Sequence, residues 1–221
     1  MNVATKFILK TGVSAFSFMI SCAAHAEMQG QKIYVNGGAS PAAMACATCH
    51  GADGMGTYSA GFPRLARLPQ GYLVKQLDDF RSGKRVNAVM QPIASALEDS
   101  ETRAVADYLG SLIIAAKDVD SDLAGSNGGV AEKLVKQGDW SRNIPACVAC
   151  HGTGNTGVGD SFPPLVDQPG SYITVQLNAW RSGTRKNDPN DLMGHIARSL
   201  SDSEIKDLSA YFASLSAEAK Q

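Results

Sequence analysis

Apolar residues in this chain recur every three or four positions, as they do along one face of an amphipathic helix. Leu73, Leu77 and Phe80 form one such series, and Gly83 follows it at the kind of position where helices commonly end. No segment alternates apolar and polar residues as a half-buried strand would. The pattern therefore predicts an all-α fold.

The whole pattern occurs twice along the chain. Ile173, Leu177 and Trp180, followed by Gly183, repeat the first series at a constant offset. Further matched positions are Ile33 and Leu134, Phe62-Pro63 and Phe162-Pro163, Gln76 and Gln176, Met90 and Met193, and Tyr108 and Tyr211. A steady offset with small jumps is what duplication followed by insertions in loops produces. The sequence predicts two tandem helical domains related by internal duplication.

A polar segment separates the two copies. Residues 117–128 are rich in Asp, Gly and Ser and poor in apolar side chains, which is the composition of a linker. We therefore expect an N-terminal domain over residues 27–116 and a C-terminal domain over residues 129–221, each of ordinary domain size.

The last helix of each copy begins with a different signal. Ser201 and Glu204 have the spacing of a capping box in the second copy. The first copy has Glu98 at the serine position, so we expect Asp99 or Ser100 to cap that helix instead.

A Cys-x-x-Cys-His motif opens each copy, and it is the attachment signature of c-type haem. The motifs are Cys46, Cys49 and His50 in the first copy and Cys147, Cys150 and His151 in the second. Two thiols at this spacing can each add to one vinyl group of a porphyrin, and the histidine is then held beneath the iron. A tetrathiolate zinc site is the alternative, but the two pairs lie in separate repeats and each is followed by histidine. The sequence predicts two covalently bound haem c groups.

A methionine in each copy is the candidate for the sixth position on the iron. Met90 and Met193 occupy matched positions in what we expect to be a loop between the second and last helices. A thioether ligand favours ferrous iron and raises the reduction potential. His195 competes with Met193, but Pro92 aligns with it, so it has no counterpart in the first copy.

Other matched residues are candidates for holding these groups. The carbonyl of Pro63 or Pro163, or of the residue before it, could accept the Nδ1–H of the proximal histidine. Side chains that could pair with haem propionates are Tyr72, Tyr172, Arg81, Arg181, Arg85 and Arg185.

The N-terminus resembles an export signal. Lys6 and Lys10 precede an apolar stretch from Val13 to Ile20, and Ala24-His25-Ala26 has the form of a cleavage site. We expect residues 1–26 to be removed and the mature protein to reside in the periplasm, where haem attachment occurs. A membrane anchor and lipidation at Cys22 are the alternatives; the apolar stretch is shorter than the roughly 20 residues a span needs.

Composition narrows the classes of function. The chain has 20 basic and 21 acidic residues and no basic block, which excludes a typical nucleic-acid partner. Of its 5 cysteines, four lie in the haem motifs and Cys22 lies in the expected signal, so no thiol remains for a disulfide or a nucleophile.

These motifs together resemble the dihaem class I cytochromes c, in particular the cytochrome c4 family. The resemblance rests on Cys-x-x-Cys-His-Gly, on Phe62-Pro63 with Phe162-Pro163, on a Tyr-x3-Gln-Leu-x2-(Phe/Trp)-Arg-Ser-Gly stretch, and on the later methionine. It implies two haems facing each other across a pseudo-twofold interface, with propionates near the contact. It also implies periplasmic electron carriage from quinol–cytochrome c reductase toward a haem–copper terminal oxidase.

Three functions remain open from the sequence. The first is a soluble shuttle, not an enzyme, that carries electrons between respiratory complexes through redox protein partners and associates peripherally with their membrane complexes. The alternative is the electron-accepting dihaem subunit of a periplasmic dehydrogenase. The third is a peroxidase or a thiosulfate-oxidising enzyme, which would need an open axial position on one iron; the two matched methionines argue against it.

Overall fold

The computed structural model describes residues 28–112 and 129–215 of the chain. The expected signal peptide, residues 1–26, and the expected linker, residues 117–128, lie outside the described residues.

Ten α-helices, five in each copy, make up most of the described structure. The first copy contains α1 (residues 28–36), α2 (Ala47–His50), α3 (Gln70–Arg81), α4 (Met90–Ala96) and α5 (Asp99–Ser111). The second contains α6 (Val130–Lys136), α7 (Cys147–His151), α8 (Gly170–Ser182), α9 (Leu192–Ser199) and α10 (Asp202–Ser214). Short 3-10 turns lie at Tyr58–Ala60, Trp140–Arg142, Thr153–Asn155 and Pro189–Asp191. Within the described ranges strand pairing is limited to isolated bridges, so the all-α prediction is confirmed.

Each copy has its own hydrophobic core, built from the helical faces that the sequence predicts. Helix α3 packs on α4 and α5, and its equivalent α8 packs on α9 and α10. The first core is made of Ile33, Tyr34, Ala43, Leu68, Leu73, Leu97, Val105, Ala106, Tyr108 and Leu109. The second is made of Ala131, Leu134, Val135, Ile144, Ile173, Leu177, Ala197, Leu200, Ile205, Leu208, Tyr211 and Phe212. Two separate cores are what a duplicated domain requires.

The cap of α5 differs from our expectation. Glu98, not Asp99 or Ser100, is the N-cap of the helix, and its backbone N–H donates to the carboxylate of Glu101 at 3.0 Å. Glu101 also accepts from the backbone N–H of Ala39 at 2.7 Å. Glu98 and Glu101 form a capping box, in which Glu98 takes the place that Ser201 has in the second copy.

The two methionines also lie on elements that we did not expect. Met90 is the first residue of α4 and Met193 is the second residue of α9, so neither lies in a loop. These helices are only 7 and 8 residues long. Helices this short owe their stability to packing against neighbours, and a single apolar turn is too weak a periodic signal to reveal them from sequence.

The two copies are docked against each other around an approximate twofold axis. Arg85 and Arg185 form an antiparallel bridge, flanked by two equivalent hydrogen bonds. Val86 N donates to Thr184 O and Lys186 N donates to Lys84 O, each at 2.8 Å. These pairs exchange matched residues of the two repeats, so the pseudo-twofold contact implied by the family resemblance is present.

A second seam joins the copies and is not symmetric. Tyr58 Oη donates to Asp167 O at 2.6 Å. Arg64 N donates to the side-chain oxygen of Gln168 at 3.1 Å, and Gln168 Nε2 returns a bond to Arg64 O at 3.0 Å. The copies therefore meet at two places, which fixes their relative orientation. Among the described residues, no helix is both long and apolar enough to cross a bilayer.

The second copy carries an ion pair that ties the start of α10 to the segment before its haem motif. Arg142 donates to both carboxylate oxygens of Glu204, at 3.0 and 2.6 Å. Hydrogen bonding from Arg142 is the main cause that lowers the pKa of Glu204 to about 2. The first copy lacks this two-bond ion pair, because Pro41 aligns with Arg142.

Glu204→Gln should lower the unfolding temperature of the C-terminal copy by roughly a few degrees at neutral pH. Because the folded pKa of about 2 lies below the ordinary 4.5, the stabilisation is complete above 4.5 and is lost as pH falls toward 2. The gap between wild type and variant, measured by thermal melts, should close over that window. Asp207→Asn, on the exposed side of the same helix, is the control. A gap that does not change with pH would contradict this account.

Candidate haem sites and the interface between them

A short helix presents the two thiols of each Cys-x-x-Cys-His motif. Cys46 directly precedes α2, which carries Cys49, and Cys147 is the first residue of α7, which carries Cys150. Residues three apart on a helix share a face, so both thiols of a pair lie on the same side. None of the four forms a disulfide, and all are partly exposed. Burial raises the pKa of Cys46 and of Cys147 to about 11.

The histidine that ends each motif is buried and oriented by a proline carbonyl. His50 Nδ1 lies 3.0 Å from Pro63 O, and His151 Nδ1 lies 2.7 Å from Pro163 O. A carbonyl can only accept, so Nδ1 carries the proton and Nε2 keeps a lone pair. Burial lowers the pKa of both imidazoles, which favours the neutral form. The expectation about these prolines is confirmed, and the carbonyl is the proline's own.

A glycine turn brings the proline carbonyl to the histidine. Gly56 N donates to His50 O at 2.9 Å, and Gly157 N donates to His151 O at 2.7 Å. Gly56 has φ of +87°, and a Cβ there would lie 2.5 Å from Phe62 O. The turn thus requires glycine both for its backbone angle and for the close approach of the segment that carries Pro63.

The second candidate ligand in the C-terminal copy is separated from its competitor by the geometry of α9. Met193 is partly buried and packs against the C-terminal core. His195 is exposed, because residues two apart on a helix point in nearly opposite directions. Met90, at the matched position on α4, is also partly buried. Both methionines are therefore partly buried at matched positions at the start of a short helix.

Two buried arginines share acceptors at the contact between the copies. Arg85 donates to Gln76 at 3.0 Å, and across the contact to Tyr172 and Gln176, both at 2.7 Å. Arg185 donates to Gln176 at 2.8 Å, and across the contact to Gln76 at 3.1 Å and Tyr72 at 3.3 Å. Each arginine thus binds side chains of both copies. Sequence reasoning assigned no role to the two glutamines, although a polar residue repeated inside an apolar series was the available signal.

This cluster carries more positive than negative charge. The cations joined by its hydrogen bonds are Arg85, Arg185 and Lys75, whereas the one carboxylate so joined among the described residues is Asp79. Burial alone would raise the pKa of Tyr172, yet the two guanidinium groups hold it below its ordinary value. Excess buried positive charge calls for an anion. Haem propionates are such anions, so the donor set fits the cofactor.

The buried indole N–H of a partly exposed tryptophan supplies a second test of the fit. Trp180 Nε1 is buried and has no acceptor among the described residues. The guanidinium of Arg185 lies over its ring, 3.8 Å from the centroid, and Arg85 stacks in the same way on Phe80 at 4.5 Å. A buried donor without an acceptor is costly, so the site suits a group that brings one. Sequence reasoning treated Trp180 only as an apolar residue of α8.

Two of the arginines proposed as propionate partners are used elsewhere. Arg81 donates to Ala94 O at 3.3 Å and Leu97 O at 3.1 Å, and it pairs with Asp99. Arg181 makes the equivalent bonds to the last carbonyls of α9 and pairs with Asp202, the first residue of α10. Their guanidinium groups satisfy the last carbonyls of the short helices that carry the methionines, where free acceptors remain.

Comparison with known proteins places this geometry in a family. A family model described as cytochrome c matches residues 28–112 and 142–216. A thiosulfate dehydrogenase electron acceptor of Stutzerimonas stutzeri is 57% identical over 205 residues, which cover 92% of this chain and 93% of that protein. A cytochrome c4 of Pseudomonas aeruginosa is 34% identical over 175 residues, covering 78% and 85%.

A solved structure has the same arrangement of helices. It is the thiosulfate dehydrogenase TsdBA from Marichromatium purpuratum, with a TM-score of 0.73 and 41% identity. The match covers 85% of this chain and 40% of that chain, so this protein spans less than half of its length.

The matches bear on function as well as on fold. The family match falls on both copies, and each copy carries its own haem-attachment motif, so the protein carries two covalently bound haem c groups. The relatives over nearly the whole length are electron-transfer proteins, which confirms that the chain transfers electrons to and from redox partners and is not itself an enzyme. The chain belongs to the cytochrome c family and is a dihaem, cytochrome c4-like electron-transfer protein.

Proposed function

We propose that this protein is the electron acceptor of a periplasmic thiosulfate dehydrogenase. The observation that carries the proposal is the 57% identity, over nearly the full length of both chains, to a protein named for that role. Identity to a cytochrome c4 is 34%. A domain pair like this one also lies within a chain titled thiosulfate dehydrogenase. The alternative from the sequence, a dehydrogenase subunit, is thus better supported than a shuttle between quinol–cytochrome c reductase and a terminal oxidase.

In this proposal each haem is held by one copy. Cys46 and Cys49 attach the first haem, and Cys147 and Cys150 attach the second. The supporting observation is the placement of each thiol pair on one face of a short helix. The haem supplies the redox-active iron, and the domains, over residues 27–116 and 129–221, supply ligands and a dry surrounding.

The axial ligands are His50 with Met90, and His151 with Met193. The orientation of both imidazoles by proline carbonyls leaves Nε2 as a free donor toward iron. The matched, partly buried positions of the methionines support them as the opposite ligands, and the exposure of His195 argues against that residue.

The interface cluster holds the propionates. Arg85 and Arg185 with Tyr72 and Tyr172 provide charge and donors there, and the indole N–H of Trp180 binds a propionate of the second haem. The excess positive charge of the cluster and the unpaired buried donor support this assignment.

Export delivers the chain to its partner. Cytochromes c of this kind are typically periplasmic, and Lys6, Lys10 and Ala24-His25-Ala26 support cleavage before Glu27. Peripheral association with a membrane complex would place the protein near the acceptor that takes its electrons onward.

Purified thiosulfate dehydrogenase with thiosulfate should reduce both haems of the oxidised protein. The test uses protein isolated from the periplasm, whose N-terminus should be Glu27, and follows haem absorbance in stopped flow. Thiosulfate without the dehydrogenase is the blank, and quinol with quinol–cytochrome c reductase is the competing donor. Reduction by the reductase alone would overturn the proposal in favour of the respiratory shuttle.

Met193→Ala should open one haem to carbon monoxide and lower its reduction potential by on the order of 0.1 V, because axial ligands set potentials over a range of about 0.8 V. Met90→Ala should do the same to the other haem. His195→Ala is the matched control on α9 and should leave both potentials and carbon monoxide binding unchanged. An open haem in His195→Ala, with none in Met193→Ala, would show the ligand assignment to be wrong.

Trp180→Phe, which installs the residue found at the matched position Phe80, should lower the potential of the second haem. Without the indole N–H, the propionate charge is less compensated, which stabilises ferric iron. We expect a decrease on the order of 30 mV, about a threefold change for a one-electron couple. Trp140→Phe, at a side chain that is 72% exposed, is the control for spectroelectrochemical titration. Equal shifts in the two variants would remove Trp180 from the propionate site.

A further inference from the structure

The two methionine helices are held in different ways, although the copies are duplicates. In the first copy the attachment is local. Asn87 Oδ1 accepts from the backbone N–H of Val89 at 3.0 Å and of Met90 at 2.9 Å. The side chain thus caps the start of α4 from within its own copy.

In the second copy the corresponding asparagine reaches across the interface. Asn187 Nδ2 donates to Gln76 Oε1 and to Asp79 Oδ2, both at 2.8 Å. Its backbone carbonyl accepts from Lys75 Nζ at 2.6 Å, and Lys75 also pairs with Asp79. Within its own copy, Asn187 Oδ1 accepts from Arg185 Nε at 3.0 Å. Asn187 and Asp79 are only 8% and 5% exposed, so these are buried contacts. Three residues of the N-terminal α3 therefore hold the segment before α9.

The loop between this anchor and Met193 contains two residues with left-handed backbone angles. Asn190 and Asp191 have φ of +62° and +56°, a conformation that residues other than glycine adopt infrequently. Asp188 continues the chain of contacts, because its carboxylate accepts from Gly194 N at 3.0 Å in the first turn of α9. Contacts thus run from α3 of one copy through Asn187 and Asp188 to the helix that carries Met193.

No matching anchor exists on the other side of the twofold axis. Val175 and Ala179 occupy the positions of Lys75 and Asp79, so α8 offers neither charge to the first methionine loop. Sequence length explains why the asparagines differ. Asn87 lies three positions before Met90 (90 − 87), whereas Asn187 lies six before Met193 (193 − 187) and is free to turn outward.

We propose that Lys75 and Asp79 of the N-terminal copy are positioning residues for Met193, the axial ligand of the C-terminal haem. The side-chain anchor runs one way: α3 of the first copy holds the segment before Met193, whereas Asn87 caps the helix of Met90 from within its own copy. This rests on the ligand assignment under Proposed function.

The test compares the double variant Lys75→Val/Asp79→Ala with Asp78→Ala in the full-length dihaem protein. The double variant installs the residues of the other repeat and removes a cation with its carboxylate, so no buried charge is left unpaired. Asp78 directly precedes Asp79 on α3 and is exposed. Its substitution therefore removes a carboxylate without changing the contacts of Lys75 and Asp79. Asn187→Ala removes the side-chain bonds to Asp79 and Gln76 from the opposite side, together with the bond from Arg185, and leaves the backbone carbonyl that Lys75 binds. It guards against a folding defect in the double variant.

The measurement is NMR of the reduced protein, where the methyl group of a methionine bound to haem iron gives a strongly shifted signal, one for each haem. Hydrogen bonds to charged groups are strong enough that losing them should raise the fraction of the second haem without its methionine about tenfold or more. Both anchor variants should weaken or broaden the Met193 signal and admit carbon monoxide to that haem, while the Met90 signal stays. Asp78→Ala should leave both signals in place. Asn87→Ala should act only on Met90.

An unchanged Met193 signal in both anchor variants would overturn the inference. Loss of both methionine signals together would also overturn it, because that result means a general loosening of the interface. The ligand assignment is tested separately: if Met193→Ala keeps both signals, Met193 is not a ligand. If Met193→Ala loses one signal while the anchor variants lose none, only the positioning role fails.

Discussion

The burial of two guanidinium groups at one contact is the constraint on which the rest of this molecule depends. Arg85 and Arg185 lie side by side, and each must place its donors on acceptors that water cannot supply there. Part of each set comes from the opposite copy, through Tyr172 and Gln176 for Arg85 and through Tyr72 and Gln76 for Arg185. Undocking would leave two charged groups short of partners. The same two guanidinium groups also need anions nearby. Docking of the copies and binding of haem propionates would therefore both serve to compensate their charge.

Most of the fold could be predicted from local sequence patterns, because the helices and the haem motifs depend on residues that are close together in the chain. The helix from Gln70 to Arg81 follows from apolar residues spaced along one face, and its end at a glycine follows from the backbone angle that glycine alone adopts easily. The haem motif is equally local, because two thiols and a histidine must lie within one helical turn. The duplication made single residues easier to interpret. The role of Pro63 is ambiguous from its own position, but Pro163 repeats it at the matched place. The carbonyls of both prolines do contact a histidine.

What the sequence did not reveal is set by tertiary contacts. Arg81 and Arg181 bind the last carbonyls of the short helices that begin near Met90 and Met193. No local sequence pattern predicts such a bond. Glu98 caps α5 in a capping box with Glu101, and a search for serine or aspartate overlooks a glutamate at this position. The role of Asn187 depends on a helix of the other copy, more than a hundred positions away in the chain.

A pair of haems that accepts electrons in one direction needs two unequal sites, and a duplication supplies equal ones. The inequality must then come from positions where the copies have diverged. In this chain the divergences beside the interface cluster include Trp180 in place of Phe80, and Val175 and Ala179 in place of Lys75 and Asp79. The first adds a donor on the second haem's side of the interface, and the others make the second methionine loop depend on the first copy. Both changes act on the C-terminal site. The helix that carries Met90 is thus capped from within its own copy, whereas the segment before Met193 is anchored across the docked interface.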